Sequence, residues 1–88
     1  MNLNQVTVPS KDVKASINFY RQLGLKQIVE NLPDYARFEC PQGNSTFSIH
    51  LVDQLPTGEG TVIYFECEDV DATVNALKEK GIAFESGP

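Results

Sequence analysis

The amino-acid sequence predicts an α+β fold of tandem βαβββ modules that form a curved mixed sheet with helices on its convex face, the second module being incomplete. Two observations predict this. The chain has 88 residues, of which 41% are hydrophobic and 22% charged, which is the composition of one small folded domain. The sequence also repeats itself without a gap at an offset of 57 residues, so that Asp12 falls on Asp69 and Gly24 on Gly81. We therefore treat residues 1–88 as a single domain built from two related units.

The matching positions of the repeat are those that define a helix. Asp12 and Asp69 can each accept the free N–H groups of a first helical turn. Gly24 and Gly81 can each adopt the left-handed conformation that ends a helix. The apolar positions 13, 17 and 20 recur as 70, 74 and 77, which is one stripe at helical spacing. Two copies of a strand–helix–strand unit are the simplest explanation.

The first module, residues 3–52, is predicted to contain one helix and four strands. Its elements are strand 3–9, helix 12–23, and strands 25–30, 35–40 and 45–52. The sequence Leu32-Pro33-Asp34 predicts the turn before the third strand, because a residue that precedes proline disfavours helix. The sequence Pro41-Gln42-Gly43-Asn44 ends that strand in the same way.

The second module, residues 60–88, is predicted to be a partial βαβ unit. Its elements are strand 61–67, helix 70–80 and strand 82–85. The counterparts of strands 35–40 and 45–52 would lie 57 residues further on, beyond residue 88. Either the chain is a fragment, or another chain supplies the missing strands. Because an unpaired strand edge invites pairing, we expect a homodimer that can exchange strands.

Composition and charge exclude several classes of partner. The formal net charge of −5 provides no basic patch for phosphate contacts, which argues against nucleic-acid binding. No apolar run approaches the length of about 18 residues that a membrane span requires, and no secretory signal is visible. Two cysteines, Cys40 and Cys67, make no disulfide framework, and we expect buried free thiols. These features predict a cytoplasmic protein.

Side-chain alternation along the predicted strands gathers polar residues on one face of the sheet. That face would carry Gln5, Thr7, Tyr35, Arg37, Glu39, Ser48, His50, Tyr64 and Glu66. A solvated face of an antiparallel sheet is one interpretation. The mixture of aromatic, cationic and acidic groups favours a pocket inside a curved sheet. We therefore predict that a small-molecule ligand contacts the following residues: Gln5, Thr7, Arg37, Ser48, His50, Tyr64 and Glu66.

Two residues of this face have a specific chemistry with an ordinary alternative. Arg37 can clamp a carboxylate or phosphate of a ligand, or it can form a cross-strand salt bridge to Glu39 or Glu66. His50 can be a metal donor or a base near neutral pH, or simply a residue of the surface or the pocket wall. The two tyrosines can stack on a planar ligand.

The sequence resembles the vicinal oxygen chelate superfamily over nearly its whole length. The resemblance lies in the segments Val6-Thr7-Val8-Pro9, Lys11-Asp12-Val13 and Asn18-Phe19-Tyr20-Arg21-Gln22-Leu23-Gly24-Leu25, and in the second copy in Phe65-Glu66-Cys67-Glu68-Asp69-Val70-Asp71 and Leu77-Lys78-Glu79-Lys80-Gly81-Ile82. That superfamily contains glyoxalase I, bleomycin-resistance proteins, fosfomycin-resistance enzymes and extradiol dioxygenases. The resemblance implies an eight-stranded, deeply curved sheet with the active site inside the curve.

The resemblance also implies where a metal would bind. The histidine position of the first module is Gln5, and that of the second module is Val62. The carboxylate position of the first module falls near His50, and its repeat near 107 lies beyond the sequence. Only His50 and Gln5 are left as weak metal ligands, so we expect no cofactor on this chain, with a divalent metal as the alternative.

Three functions are compatible with this combination. We expect a small-molecule binding protein of the glyoxalase/bleomycin-resistance type, without a complete metal site. The first alternative is a divergent metal-dependent lyase or dioxygenase whose remaining ligands come from missing residues or a partner subunit. The second is a structural or regulatory fragment without a ligand.

Overall fold

The computed structural model describes residues 1–55, 60 and 62–84. These contain four strands and two helices: β1 (Gln5–Ser10), α1 (Val13–Gln22), β2 (Lys26–Asn31), β3 (Tyr35–Glu39), β4 (Thr46–Leu51) and α2 (Val70–Glu79). The helix and four strands predicted for the first module are all present, with ends displaced by no more than two residues. The second predicted helix is present as well.

The four strands form one mixed sheet in the order β1-β4-β3-β2. Short turns join β2 to β3 and β3 to β4, and both pairs are antiparallel. The connection from β1 runs through α1 and the hairpin strands before β4 lies parallel beside it. A parallel pair requires a long crossover connection of this kind. The α+β class and the mixed sheet are therefore confirmed.

The two helices repeat each other in length and in both caps. Asp12 accepts a hydrogen bond of 3.1 Å from the backbone N–H three residues on, and Asp69 accepts one of 3.0 Å in the same way. Gly24 and Gly81 follow the helices with φ angles of +100° and +91°, which only glycine adopts without strain. The internal repeat seen in the sequence is thus a repeat of helix start and helix end.

The hydrophobic core lies between α1 and one face of the sheet. Its buried members are Val13, Ile17, Leu25, Ala36, Phe38, Phe47 and Ile49. The Tyr20 ring extends this core, with its centroid 4.7 Å from that of Phe47 and 5.8 Å from that of Phe38. Each large side chain buried here contributes about 1.5–3 kcal/mol to folding. The other face of the sheet is free to carry polar side chains.

Helix α2 is much less buried than α1. Val13 of α1 is 2% exposed, whereas Val70, its counterpart 57 residues later, is 50% exposed. No residue of α2 is fully buried, and the remaining stripe positions are half-buried. A hydrogen bond of 3.2 Å from Lys80 Nζ to the carbonyl of Gln22 joins the end of α2 to the end of α1. Within the described residues, α2 is therefore packed only in part, through Val74 and Leu77.

The two strands predicted for the second module are not found among the described residues. Residues 62–67 and 82–84 belong to no strand, while residues 61 and 85 lie outside the described part. A strand needs a neighbour that completes its backbone hydrogen bonds, and the described residues supply none for these segments. The predicted alternation still holds for packing, because Ile63 contacts the core and the ring of Phe65 lies 5.9 Å from that of Phe47.

The two cysteines differ in burial. Cys40 is a half-buried free thiol beside the core, as expected, but Cys67 is exposed, so its predicted burial is wrong. Cys67 is exposed because the strand that would have buried it is not formed. Over the described ranges, neither helix has the length and apolar character that crossing a membrane requires.

Candidate functional site

The face of the sheet opposite α1 carries most of the predicted site residues, and we call it the polar face. It consists of Gln5, Thr7, Tyr35, Arg37, Glu39, Thr46, Ser48 and His50. In the strand register, Thr7 of β1 lies opposite Ser48 of β4, and Ser48 lies opposite Arg37 of β3. Tyr35 lies opposite His50 in the next row. The fold therefore brings together residues that are more than 40 positions apart in the sequence.

Ser48 is the centre of a hydrogen-bond network on the polar face. Its side chain has no exposed surface, although it belongs to the face without a helix. Gln5 Nε2 donates to Ser48 Oγ at 3.0 Å, and Thr7 Oγ1 lies 2.6 Å from the same oxygen. Gln5 Nε2 also donates to the Tyr35 hydroxyl at 3.4 Å. Because these contacts join β1, β4 and β3, the polar face is fixed by side chains as well as by the backbone.

Arg37 is held by a threonine rather than by an acid. Its Nη2 donates to Thr46 Oγ1 at 3.1 Å, and Thr46 Oγ1 donates in turn to the carbonyl of Asn4 at 3.3 Å. The Nε atom of Arg37 is buried without a hydrogen-bond partner among the described residues. Neither of the salt bridges considered from the sequence, to Glu39 or Glu66, occurs in the described part of the chain.

Thr46 is a residue of this site that the sequence analysis missed. The signal was available, since Thr46 alternates with Ser48 and His50 along β4 and so must share their face.

His50 lies at the end of β4 and is exposed. Gln5 Nε2 contacts Ser48 and the Tyr35 hydroxyl, and among the described residues no hydrogen bond joins Gln5 to His50. Val62, in the other predicted ligand position, is 67% exposed and has no donor atom. No group of three His, Cys, Asp or Glu side chains that could hold a metal ion exists in residues 1–55, 60 and 62–84. The residues present therefore do not fit a tightly bound divalent cation.

Tyr64 and Glu66 are not placed on the polar face. Tyr64 is 89% exposed and, like Glu66, lies outside any strand. Both assignments depended on strand 61–67, and without that strand nothing brings these side chains to the sheet. Glu66 instead lines a hollow of about 640 Å³ beside the start of α2, together with Gln42, Cys67, Glu68, Asp69, Ala72 and Thr73.

The polar face lies outside two hollows in the described part of the protein. One is the hollow beside the start of α2, and a second, of about 260 Å³, lies at the start of α1 and is lined by residues 11–14, 32, 33 and 51. Neither hollow includes a member of the polar face. What the polar face offers a ligand is a set of hydroxyl, amide, carboxylate and guanidinium groups beside the Tyr35 ring.

The βαβββ module, its capped repeat and an ordered polar face on the sheet define a protein of the glyoxalase and bleomycin-resistance type of fold. The chain belongs to the Glyoxalase/Bleomycin resistance protein/Dioxygenase superfamily, whose family model matches residues 2–88. The family expected from the sequence is thereby confirmed. No curated protein matches the chain by sequence.

Several solved structures share this fold. A bleomycin resistance determinant encoded on the transposon Tn5 aligns with a TM-score of 0.74 at 16% identity, over 99% of this chain and 72% of that one. Lactoylglutathione lyase from Agrobacterium tumefaciens aligns with 0.72 at 18% identity, over 97% and 74%. A glyoxalase/bleomycin resistance protein/dioxygenase from Nocardioides aligns with 0.74 at 23% identity, over 100% and 67%. At such identities the likeness establishes the fold alone.

Proposed function

We propose that this protein binds a small organic molecule on its polar face without chemistry at a metal. One observation carries the proposal: Ser48 is completely buried on a face that no helix covers, and it fixes Gln5 and Thr7 in place. On a merely solvated face, polar side chains hydrogen-bond to water and move independently. Side chains held in one arrangement before a ligand arrives lose less entropy when it binds.

The metal-dependent alternative is a lyase or oxidoreductase of the same superfamily. His50 is the observation that favours it, because an exposed imidazole at a strand end is free to coordinate. Gln5 and Val62 disfavour it, since an amide is a poor ligand for a divalent metal and a valine is none. The likeness to the bleomycin resistance determinant encoded on Tn5 and to lactoylglutathione lyase favours neither function, because one fold can carry different activities.

A fragment screen followed by backbone NMR tests the binding function. Small neutral and charged organic fragments are added to the 15N-labelled protein, and binding should shift the amides of β1, β3 and β4 that carry the polar face. Ser48→Val should weaken that binding, because it removes the group that orients Gln5 and Thr7. Ser45→Ala, at an exposed serine, is the control and should bind as the wild type does. Equal fragment affinity in Ser48→Val and the wild type would contradict the proposal.

Metal analysis tests the alternative. The purified protein is analysed for bound metal and then titrated with Ni, Zn, Mn and Fe ions. Under the proposed function, the melting temperature stays unchanged on metal addition. Stoichiometric metal binding that disappears in His50→Ala would overturn a metal-independent function.

We also propose that the protein forms a homodimer. β1 lies at the edge of the sheet, and apolar side chains such as Val62, Phe65 and Val70 are substantially exposed. Unpaired edges and uncovered apolar stripes both favour association with a second copy. Light scattering at high micromolar concentration tests this: a monomer contradicts the proposal, and a dimer should be weakened by Val70→Asp but not by Asn18→Asp, an exposed position on α1.

The location we propose is the cytoplasm. The free thiols of Cys40 and Cys67 support it, because disulfides are rare where thiols are kept reduced. Recovery of the protein with the cytoplasmic fraction of its host cell is the expected result, and recovery from an oxidising compartment would contradict it.

A further inference from the structure

Arg37 is a cation near the middle of the sheet, and none of the described residues forms an ion pair with it. It lies on β3, between β2 and β4, and its side chain is half-buried. The guanidinium has five N–H donors. Its one hydrogen bond to the described residues goes to a neutral oxygen, Thr46 Oγ1, and its buried Nε atom has no partner. A charged group that is buried away from water is normally paired with a group of opposite charge.

The chain contains many acidic residues that could have supplied a negative charge to pair with Arg37. The net charge is −5, and Glu39 follows Arg37 by two residues on the same strand face. Even so, no carboxylate in residues 1–55, 60 and 62–84 lies within ion-pair distance of Arg37. The strand register places Thr46 opposite Glu39, and it is the hydroxyl of Thr46 that receives the arginine. The guanidinium is thus oriented by a neutral group, and none of the described residues neutralises its charge.

The hydroxyl residues beside Arg37 can act as hydrogen-bond donors to a ligand, and the carboxylate of Glu39 lies on the same strand face. Gln5 donates to Ser48, and the hydroxyls of Ser48 and Thr7 lie 2.6 Å apart, where either oxygen can be the donor. Where Ser48 donates to Thr7, the Thr7 proton is available to a ligand. Thr7 is exposed and lies in the same cross-strand row as Arg37, with Ser48 between them. A cation and an exposed hydroxyl therefore lie in the same row.

We propose that Arg37 anchors an oxyanion subsite on the polar face, and that the ligand of this protein carries a carboxylate or phosphoryl group there. The planar fork of a guanidinium matches two oxygens of either group, and such paired hydrogen bonds are among the strongest in proteins. The Tyr35 ring, two residues before Arg37 on the same face, gives the rest of the ligand an aromatic wall. This inference rests on the proposed ligand-binding function and specifies its ligand class.

The test uses three probes on the full 88-residue chain: benzoate, inorganic phosphate and the neutral benzyl alcohol. Each is titrated against 15N-labelled protein at constant ionic strength set with chloride. Benzoate or phosphate is expected to shift the amides around Arg37, Thr46 and Thr7 in a saturable way. Saturation by benzoate alone assigns a carboxylate, and saturation by phosphate alone assigns a phosphoryl group.

Four variants test whether the anion binds at Arg37. Arg37→Gln removes the charge and should weaken the bound anion by roughly tenfold or more. Arg37→Lys keeps the charge without the fork, and Thr46→Val removes the hydroxyl that orients Arg37, so both should bind with intermediate affinity. Arg21→Gln, at an exposed arginine on α1, is the control and should bind as the wild type does. Equal anion affinity in Arg37→Gln and the wild type would overturn the subsite.

The outcomes also separate this inference from the function on which it rests. If benzyl alcohol or other neutral fragments shift the polar face while both anions do not, the oxyanion subsite is wrong and the binding function stands. If no fragment of any charge shifts the polar face, both are wrong. If Arg37→Gln does not fold, the Arg37→Lys and Thr46→Val affinities decide, and wild-type affinity in both would overturn the subsite.

Discussion

Gln5 and Ser48 are joined across β1 and β4 by a hydrogen bond of 3.0 Å, and the serine hydroxyl that accepts it has no exposed surface. The backbone register places Gln5 opposite Thr46, so the Gln5 side chain leans two residues along β4 to reach Ser48. This diagonal contact means that the polar face depends on a hydroxyl that a ligand cannot itself touch. Ser48 is therefore a positioning residue for Gln5 and Thr7.

Replacing Ser48 should cost stability as well as ligand binding. In Ser48→Ala, the Gln5 amide and the Thr7 hydroxyl both lose a partner in the protein. Because these two groups are partly exposed, water replaces some of the loss, and we expect the free energy of unfolding to fall by about 1 kcal/mol. Urea denaturation measures it. The exposed Ser45→Ala variant should stay within about 0.5 kcal/mol of the wild type, and equal effects of the two would contradict the role of Ser48.

The repeat supplies a matched pair of valines in different surroundings. Val13→Ala removes two methyl groups from a side chain that is 2% exposed, and should lower the free energy of unfolding by about 1.5–3 kcal/mol. Val70→Ala removes the same groups from the counterpart that is 50% exposed, and should cost less than about 1 kcal/mol.

Protein concentration turns the same pair into a test of assembly. If a second copy covers α2, the loss caused by Val70→Ala should grow as the protein concentration rises, because dimerisation then contributes to stability. The loss caused by Val13→Ala should not. Denaturation curves at low and high micromolar concentration measure both, and a Val70→Ala effect that ignores concentration would count against the homodimer.

The two caps are a second matched pair. Asp12→Ala and Asp69→Ala remove hydrogen bonds of nearly equal length, and each should cost its own helix about 1 kcal/mol. Of the two helices, only α1 contributes buried residues to the hydrophobic core. Asp12→Ala should therefore lower global stability by about that amount. Asp69→Ala should instead speed amide hydrogen exchange within α2 and change the urea midpoint less. Equal urea midpoints for the two variants would show that α2 unfolds together with the core.

Local signals explain which parts of the fold could be predicted. A helix is specified by its own residues, and Asp12, Gly24 and the stripe between them were enough to place α1 and, through the repeat, α2. Strands 35–40 and 45–52 could be predicted because consecutive strands joined by a short turn pair with each other. Residues 62–67 and 82–84 have the alternation of strands but no neighbour among the described residues. The repeat predicted that two partner strands would be missing, but alternation alone does not show that a segment without a partner forms no strand.

The difference between paired and unpaired segments also explains which site residues could be predicted. Gln5, Thr7, Arg37 and Ser48 share a face because alternation in paired strands determines it, and the structure places them together. Tyr64 was assigned to that face by alternation in a segment that does not pair. The burial of Ser48 and the choice of Thr46 by Arg37 depend on how side chains lean between rows, which strand periodicity does not specify.

Tyr20 should make the protein less stable at alkaline pH. Its ring packs on Phe47 and Phe38, and burial of the phenol raises its pKa above the ordinary value of 10.0. Just above pH 10 the unfolded chain has lost this proton more completely than the folded one. Stability contributed by the neutral phenol is therefore complete below pH 10 and is lost as the pH rises through the pKa of the folded protein.

Tyr20→Phe keeps the ring contacts and removes the titrating group, so its free energy of unfolding should fall less steeply between about pH 9 and pH 11 than that of the wild type. The other ionisable groups are common to both proteins, so the difference between the two curves isolates Tyr20. Urea denaturation at several pH values provides the curves. Tyr64→Phe removes a hydroxyl from a ring that is 89% exposed and is the matched control for the substitution. A Tyr20→Phe curve parallel to the wild type would show that the phenol ionises without disturbing the contacts that bury it.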